Sequence, residues 1–283
     1  MEDKLLNYAS CLAKGENVLE VLLDLEKILE ENGLYSELIS CKEKIWHLNN
    51  DDNLLKKMAV LYRQKENNPD MAYIINMLYI KRTDPDLYEE LVGSLDGKEF
   101  PDLNPNFDEN TDNFTDLLKI VDRYCALKFI AALFFMRKKY DEFAKLMPFF
   151  STVKDAADEY LKNNPDADTG DLELIDETNA EIAQLLASDN NNIQINELAI
   201  KFDGHCLDAY INIISSYINN DEQQAAFDFY NNEFHKEFEE DKVNSFTDVM
   251  WKISSLYFKQ EDYYKSLCIQ KKILDMEISK GQE

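Results

Sequence analysis

The chain has 283 residues, of which 56 are acidic and 30 basic, giving a formal net charge of −26. That balance opposes the phosphate attraction behind nucleic-acid binding and repels anionic membrane surfaces, so neither kind of partner is expected, and its ordinary consequence is solubility. Seven Gly and six Pro residues are too few for an all-β chain and suit helices joined by short polar links.

The length is enough to bury a substantial core, as one large domain or two small ones. The N-terminal stretch MEDKLLNYASCLAKGE lacks a basic start followed by an apolar run, so it does not read as a secretory signal. Phe129 to Met136, the longest apolar patch, is too short to span a bilayer. Cysteines at 11, 41, 125, 206 and 268 are odd in number and scattered, and most fall on apolar helical faces. They read as small hydrophobes of a cytoplasmic protein.

Residues 2 to 13 read as a first helix, with Leu5, Leu6, Ala9 and Leu12 on one face and Gly15 as its end. A hairpin follows: Leu22, Leu25 and Leu29 form one stripe, Asn32-Gly33 breaks it, and Tyr35, Leu38, Ile39 and Ile45 form the next. Leu54, Leu55, Met58, Ala59 and Tyr62 outline a helix that stops before Asn67-Asn68-Pro69, where Asn68 is a cap and Pro69 a first helical residue. Asp84-Pro85 repeats the device and leads through Leu87, Tyr88, Leu91 and Val92 to Gly93. Between the two, Met71 to Ile80 is apolar around most of its circumference and predicts a helix buried on several sides.

The pattern lapses after Gly93, where two prolines and several Asp and Asn residues leave only isolated apolar positions. This stretch is either a linker between helical lobes or an excursion packed by Phe100, Leu103 and Phe107, and its two Phe residues favour the excursion. Phe114, Leu118, Val121, Cys125, Ala132 and Phe135 then trace one face of a helix of about 23 residues, roughly 35 Å long. From 151 to 200, twelve acids face Lys154 and Lys162, and Asn164-Pro165 signals another break. Ile182-Ala183, Leu186, Ile195 and Ala199 give one hairpin, and Ile213-Ile214, Tyr217, Gln223, Ala226 and Tyr230 a second. The organisation is therefore N-terminal hairpins over 1–93, an irregular loop over 94–113 and C-terminal helical repeats over 114–283, which also read as one continuous solenoid.

The clearest pattern lies at Met250 to Met276. Met250, Ile253, Ser254 and Tyr257 share one helical face, and Tyr263, Ser266, Leu267, Gln270, Ile273 and Leu274 share another across a short break. The spacing resembles the tetratricopeptide repeat, with Ile253-Ser254, Tyr257, Tyr263, Ser266, Gln270 and Ile273 at its motif positions. Ser stands where that motif has Gly and Ala, and Ser is small enough for close helix packing. The unit from Leu127 is similar, with Ile130-Ala131, Phe134 and Tyr140 after the Arg137-Lys138-Lys139 turn. There Phe143 replaces the motif's Ala, and Ala144 takes the small-residue role after a one-position shift. In the first hairpin Glu26 replaces a small residue, and its bulk predicts two helices held apart. Second-helix positions 195, 226 and 266 are 31 and 40 residues apart, so the period is degenerate. The resemblance implies an all-α fold, a right-handed α-α superhelix of about six antiparallel hairpins.

It also implies a non-enzymatic adaptor binding a peptide or protein partner in a concave groove lined by the first helices of successive repeats. By motif position the groove residues are Trp251, Lys252, Ser255, Phe258 and Lys259, then Asn212, Ser215 and Asn219, then Lys128 and Ala132. Amides and lysines suit an extended peptide carrying carboxylates. Trp251 and Phe258 also read as packing residues against a neighbouring helix, and the family's carboxylate-clamp pattern is not reproduced. The oligomeric state is left open.

No cofactor and no metal are expected. Asp166 to Glu177 has acids at the first, third and twelfth places of a calcium loop, but Gly170 and Asp171 fill the fifth and sixth in reversed order, so it reads as an acidic helix start. Asp102, Asn104, Asn106 and Asp108 fit that loop less well. His47, His205 and His235 are too sparse for a zinc site, and His205-Cys206 reads as a helix start beside a core thiol. No phosphate-cradling Gly loop or Gly-x-Ser-x-Gly elbow is present. A helical enzyme or enzyme subunit using an acidic cavity is the rival reading, and a calcium-responsive scaffold a third.

Overall fold

The computed structural model describes residues 1–93, 116–189, 192–220, 222–234, 246–259 and 261–280. These are helical, with no strand among them. The helices are α1 (Glu2–Lys14), α2 (Val18–Asn32), α3 (Tyr35–Asn49), α4 (Asn53–Gln64), α5 (Pro69–Thr83), α6 (Pro85–Gly93), α7 (Asp116–Met136), α8 (Tyr140–Ala144), α9 (Met147–Asn163), α10 (Glu173–Ala187), α11 (Ile193–Phe202), α12 (Leu207–Asn219), α13 (Gln223–Phe229), α14 (Phe246–Lys259) and α15 (Tyr263–Lys280). They fall into two compact units, Met1–Ile175 and Asp176–Glu283. The 94–113 loop, with Phe100, Leu103, Phe107 and the Asp102 to Asp108 stretch, lies outside the described residues, as do Phe114 and His235.

In the first unit, local chemistry sets the helix ends. Gly15 and Gly33 adopt left-handed φ values of 73° and 71° just past α1 and α2, a conformation that a β-carbon strains and that Gly, lacking one, adopts freely. At Gly15 a β-carbon would also sit 2.4 Å from the Arg123 guanidinium, but that is the end of a flexible side chain that can move aside, so the positive φ is what selects Gly there. Asn68 caps α5 by accepting from the Met71 amide at 3.0 Å, and Asp84 caps α6 by accepting from the Leu87 amide at 3.1 Å. Pro69 and Pro85 open those helices as expected, since a first-turn amide has no intrahelical partner to lose.

Successive helices from α2 to α6 pack pairwise along the chain, whereas α7 packs against α1, α2, α3, α8 and α9. That position explains its composition. From Tyr124 to Phe134 nearly every α7 side chain is buried, so the expected single apolar face is too narrow, and the helix is enclosed around most of its circumference. α5 is similar in kind, burying Ala72, Ile74, Ile75, Met77 and Leu78.

Two expectations about helix contacts are corrected. Glu26 does not hold α2 and α3 apart. It accepts from Lys42 of α3, and both side chains are largely buried, so the ion pair joins the helices. Ala144 does not take over from Phe143, because Phe143 is fully buried and Ala144 exposed. α8 ends after five residues and the chain restarts as α9 through Met147-Pro148, so the hairpin begun in α7 is irregular.

In the second unit, α12 packs against α11, α13 and α14, while α14 packs against α15. The Asn192 side chain caps α11 by accepting from the Ile195 amide at 3.2 Å. A core of Tyr210, Ile214, Phe227, Tyr230, Phe234, Ile253, Tyr257 and Ile273 ties α12 to the last hairpin, with Phe227 and Tyr257 stacked at 4.2 Å between centroids.

Candidate functional site

The last hairpin is pinned at its middle by polar contacts. The Ser254 and Ser266 hydroxyls lie 3.0 Å apart, Ser254 Oγ donates to the Ser266 carbonyl at 3.2 Å, and Gln270 Nε2 donates to both hydroxyls at 3.1 and 3.3 Å. Ser254 and Ser266 are fully buried. Small residues therefore let α14 and α15 approach closely, and each hydroxyl that enters the contact finds a partner.

This seam fixes the phase of α14. At 100° per residue, Lys252, Ser255 and Lys259 project on one side and Trp251 and Phe258 on another. Lys252 Nζ donates to Ser215 Oγ of α12 at 3.2 Å, so the first side faces the preceding hairpin's first helix. Phe258 instead meets Tyr263 of α15 edge-on, 5.2 Å between centroids, so the second side faces outward with α15. The structure therefore brings Lys252 and Ser215 together, with exposed Ser255 and Lys259 on the same helix and exposed Asn219 on α12. It separates Trp251 and Phe258 from them.

Other expected groove residues are placed elsewhere. Asn212 Nδ2 donates to the Ala187 carbonyl at 2.7 Å and to Asn196 Oδ1 at 3.0 Å, while Asn196 Nδ2 donates to the Asp189 and Asn192 carbonyls at 2.9 Å. Asn212 thus joins α10, α11 and α12 and is occupied by that task. Ala132 is buried in α7, and half-buried Lys128 lies on the same helix in the first unit. On α15 the expected packing stripe is off by one edge: Ser266, Ile269 and Ile273 are buried, whereas Tyr263, Leu267 and Leu274 are exposed.

Burial pushes the Tyr217 phenol up, and Glu197 and Glu222 add to the shift. Cys206 opens α12 as a buried thiol, and burial raises its pKa. Cys41 and Cys125 are likewise buried, while Cys268 is exposed.

The first unit holds a cluster that sequence reasoning missed. Asp122 of α7 accepts from Lys44 Nζ at 2.6 Å, and its other oxygen lies 3.4 Å from His47 Nδ1. Burial pushes the Asp122 carboxyl up, but the Lys44 ammonium and the His47 hydrogen bond outweigh it, leaving the carboxyl below its ordinary range. Burial holds neighbouring Glu43 above its ordinary range. The contacts of Lys44 and His47 with Asp122 join α3 to α7. Among the described residues no three His, Cys, Asp or Glu side chains gather to hold a metal ion, and no helix is long and apolar enough to cross a membrane. No protein-family model and no curated protein matches the chain.

Proposed function

We propose that the chain is a non-enzymatic adaptor of tetratricopeptide-like build, a right-handed superhelix whose stacked part is the run of hairpins from α10 to α15. Its inner face binds an extended peptide that carries carboxylates. The observation behind this reading is the Lys252 to Ser215 hydrogen bond, which sets the first helices of two successive hairpins side by side with polar side chains in register. Lys252 and Lys259 offset carboxylate charge, and Ser215, Ser255 and Asn219 supply hydrogen bonds to a peptide backbone. In a chain of net charge −26, two exposed lysines on one helical face are a local reversal of sign that an acidic ligand would seek.

Affinity capture from native lysate tests the reading. The Lys252→Ala, Lys259→Ala double variant should lose partners held by the wild-type protein, with the difference largest at low salt and shrinking as salt screens the wild-type lysines. A folded double variant that captures the same partners in the same amounts refutes the inner-face assignment.

A further inference from the structure

In the first unit, one helix carries charge opposite in sign to that of the chain. Residues 53–65, α4 and the lysine after it, hold Lys56, Lys57, Arg63 and Lys65 and no acid, although the net charge is −26. At 100° per residue Lys56, Lys57, Val60, Arg63 and Gln64 share roughly 120° of arc. All five are exposed, opposite Leu54, Leu55, Met58 and Ala59 of the core. With 56 acids to 30 bases, exposed lysines elsewhere find counter-ions: Lys4, Lys27, Lys119, Lys139, Lys145 and Lys265 each lie within 3.4 Å of a carboxylate. Among the described residues Lys56, Lys57 and Arg63 have no such partner, and Lys56 lies over the Tyr79 ring of α5, 5.2 Å from its centroid. Neighbouring acids offset this charge little. α4 packs against α3 and α5; α5 has only Asp70, in its first turn, and the acids of α3, Glu37 and Glu43, are half-buried. Asp52, just before α4, is taken by Arg82 at 2.6 Å.

We infer that this face of α4 docks a short acidic segment of another protein. Lys56 and Arg63 stand about 10 Å apart along the helix axis, the distance between carboxylates three residues apart in an extended segment. Val60, 50 % exposed, lies between them and receives the methylenes of glutamate side chains, while Lys57 and Gln64 reach the segment from the other edge of the arc. Width decides the class of partner. The positive strip is one helix wide, with Asp51 before it and Glu66 after it, so a duplex or a bilayer would press its phosphates onto acidic ground beyond the strip. A second copy of this chain is a poorer occupant, because it opposes two bodies of net charge −26. The inference does not rest on the inner-face reading, since Lys252 and Lys259 belong to the second unit and α4 to the first.

The probe is a dye-labelled oligoglutamate peptide of about eight residues, followed by fluorescence anisotropy. The full chain with Lys252→Ala and Lys259→Ala is the background, so that the other lysine face contributes nothing. The peptide should bind saturably and more weakly as salt rises. Lys57→Glu with Arg63→Glu should weaken it about tenfold or more, and Lys57→Arg with Arg63→Lys should hold it within about threefold. Urea midpoints of the variants show that the first unit is still folded. Should charge reversal lower the midpoint, Lys57→Gln with Arg63→Gln replaces it, with a loss of about fivefold expected. Any of four results overturns the inference: no saturable binding, binding unchanged in the folded reversed or Gln variant, an oligothymidylate of matching charge bound as tightly as the peptide, or a dimer in sedimentation that the reversed variant loses. The third would make a phosphate polyanion the occupant, and the fourth a second copy of the chain.

Discussion

Replacing Asp122 by Ala should be among the most damaging single changes in the first unit. The Lys44 ammonium and Asp122 carboxylate lie 2.6 Å apart, with side chains only 12 % and 11 % exposed. With an effective dielectric of about 20, Coulomb's law gives an attraction of about 6 kcal/mol at that distance, before the cost of removing both ions from water. The intact pair therefore contributes far less than the gross figure. Its removal by halves is different, because Lys44 then stays buried without its counter-ion, a change that costs about 3–5 kcal/mol. Domain stabilities are about 5–15 kcal/mol, so the first unit would be near its threshold. Trp46 lies in that unit and Trp251 in the other, so urea unfolding of a Trp251→Phe background isolates the right transition. Asp122→Leu combined with Lys44→Met should recover most of the loss, since no uncompensated charge remains from the pair. A loss below about 1 kcal/mol for Asp122→Ala would refute the account and place the pair among solvent-screened surface bridges.

The same pair sets a pH dependence. A carboxyl held low in the folded state contributes stability above its unfolded pKa of about 3.9, and that contribution fades as pH falls through the folded value. Glu43 acts in the opposite sense. Its raised folded value contributes stability at acid pH that is lost as pH rises through that value. Unfolding midpoints measured against pH should therefore fall below about pH 4, and Asp122→Asn should flatten that acid limb.

Two further substitutions probe packing. Ser254→Ala should cost about 1–2 kcal/mol in the second unit's unfolding, because it takes a partner from the buried Ser266 hydroxyl and from Gln270, and a loss near zero would mean the seam is wet. Phe143→Ala should cost about 3–5 kcal/mol by leaving a cavity beneath α8, while a change at exposed Ala144 to Ser should stay within about 0.5 kcal/mol; the reverse order in thermal unfolding would restore the one-position shift.

The parts of this fold that could be read in the sequence are those decided within one turn of chain. Asn68-Pro69 and Asp84-Pro85 cap helices because the side chain, the amide it accepts from and the missing proline N–H lie within four residues. Long-range pairings carry no such mark. Asp122 is one carboxylate among 56 acidic residues, and nothing near it names Lys44, which lies 78 positions away. Glu26 looked like an obstacle because its partner Lys42 sits on the next helix. The error on α15 has another cause. Ser266, Ile269 and Ile273 fit a helical period, and so do Tyr263, Leu267 and Leu274, so periodicity proposes two adjacent stripes and only the position of the core chooses between them.

That ambiguity arises because the hairpin has two apolar stripes, one more than its own core needs. On α14 the residues at 250, 253 and 257 are spent on the core, and Ser254 on the seam. The seam is polar and every hydroxyl in it is bonded, which penalises any sliding of α15 along α14 by leaving Ser254, Ser266 or Gln270 unpaired. Register is thus fixed by hydrogen bonds, whereas a greasy seam would tolerate slippage. With the register fixed, the core stripe of Ser266, Ile269 and Ile273 stays against α14, and Trp251, Phe258, Leu267 and Leu274 stay on the exposed side of the hairpin.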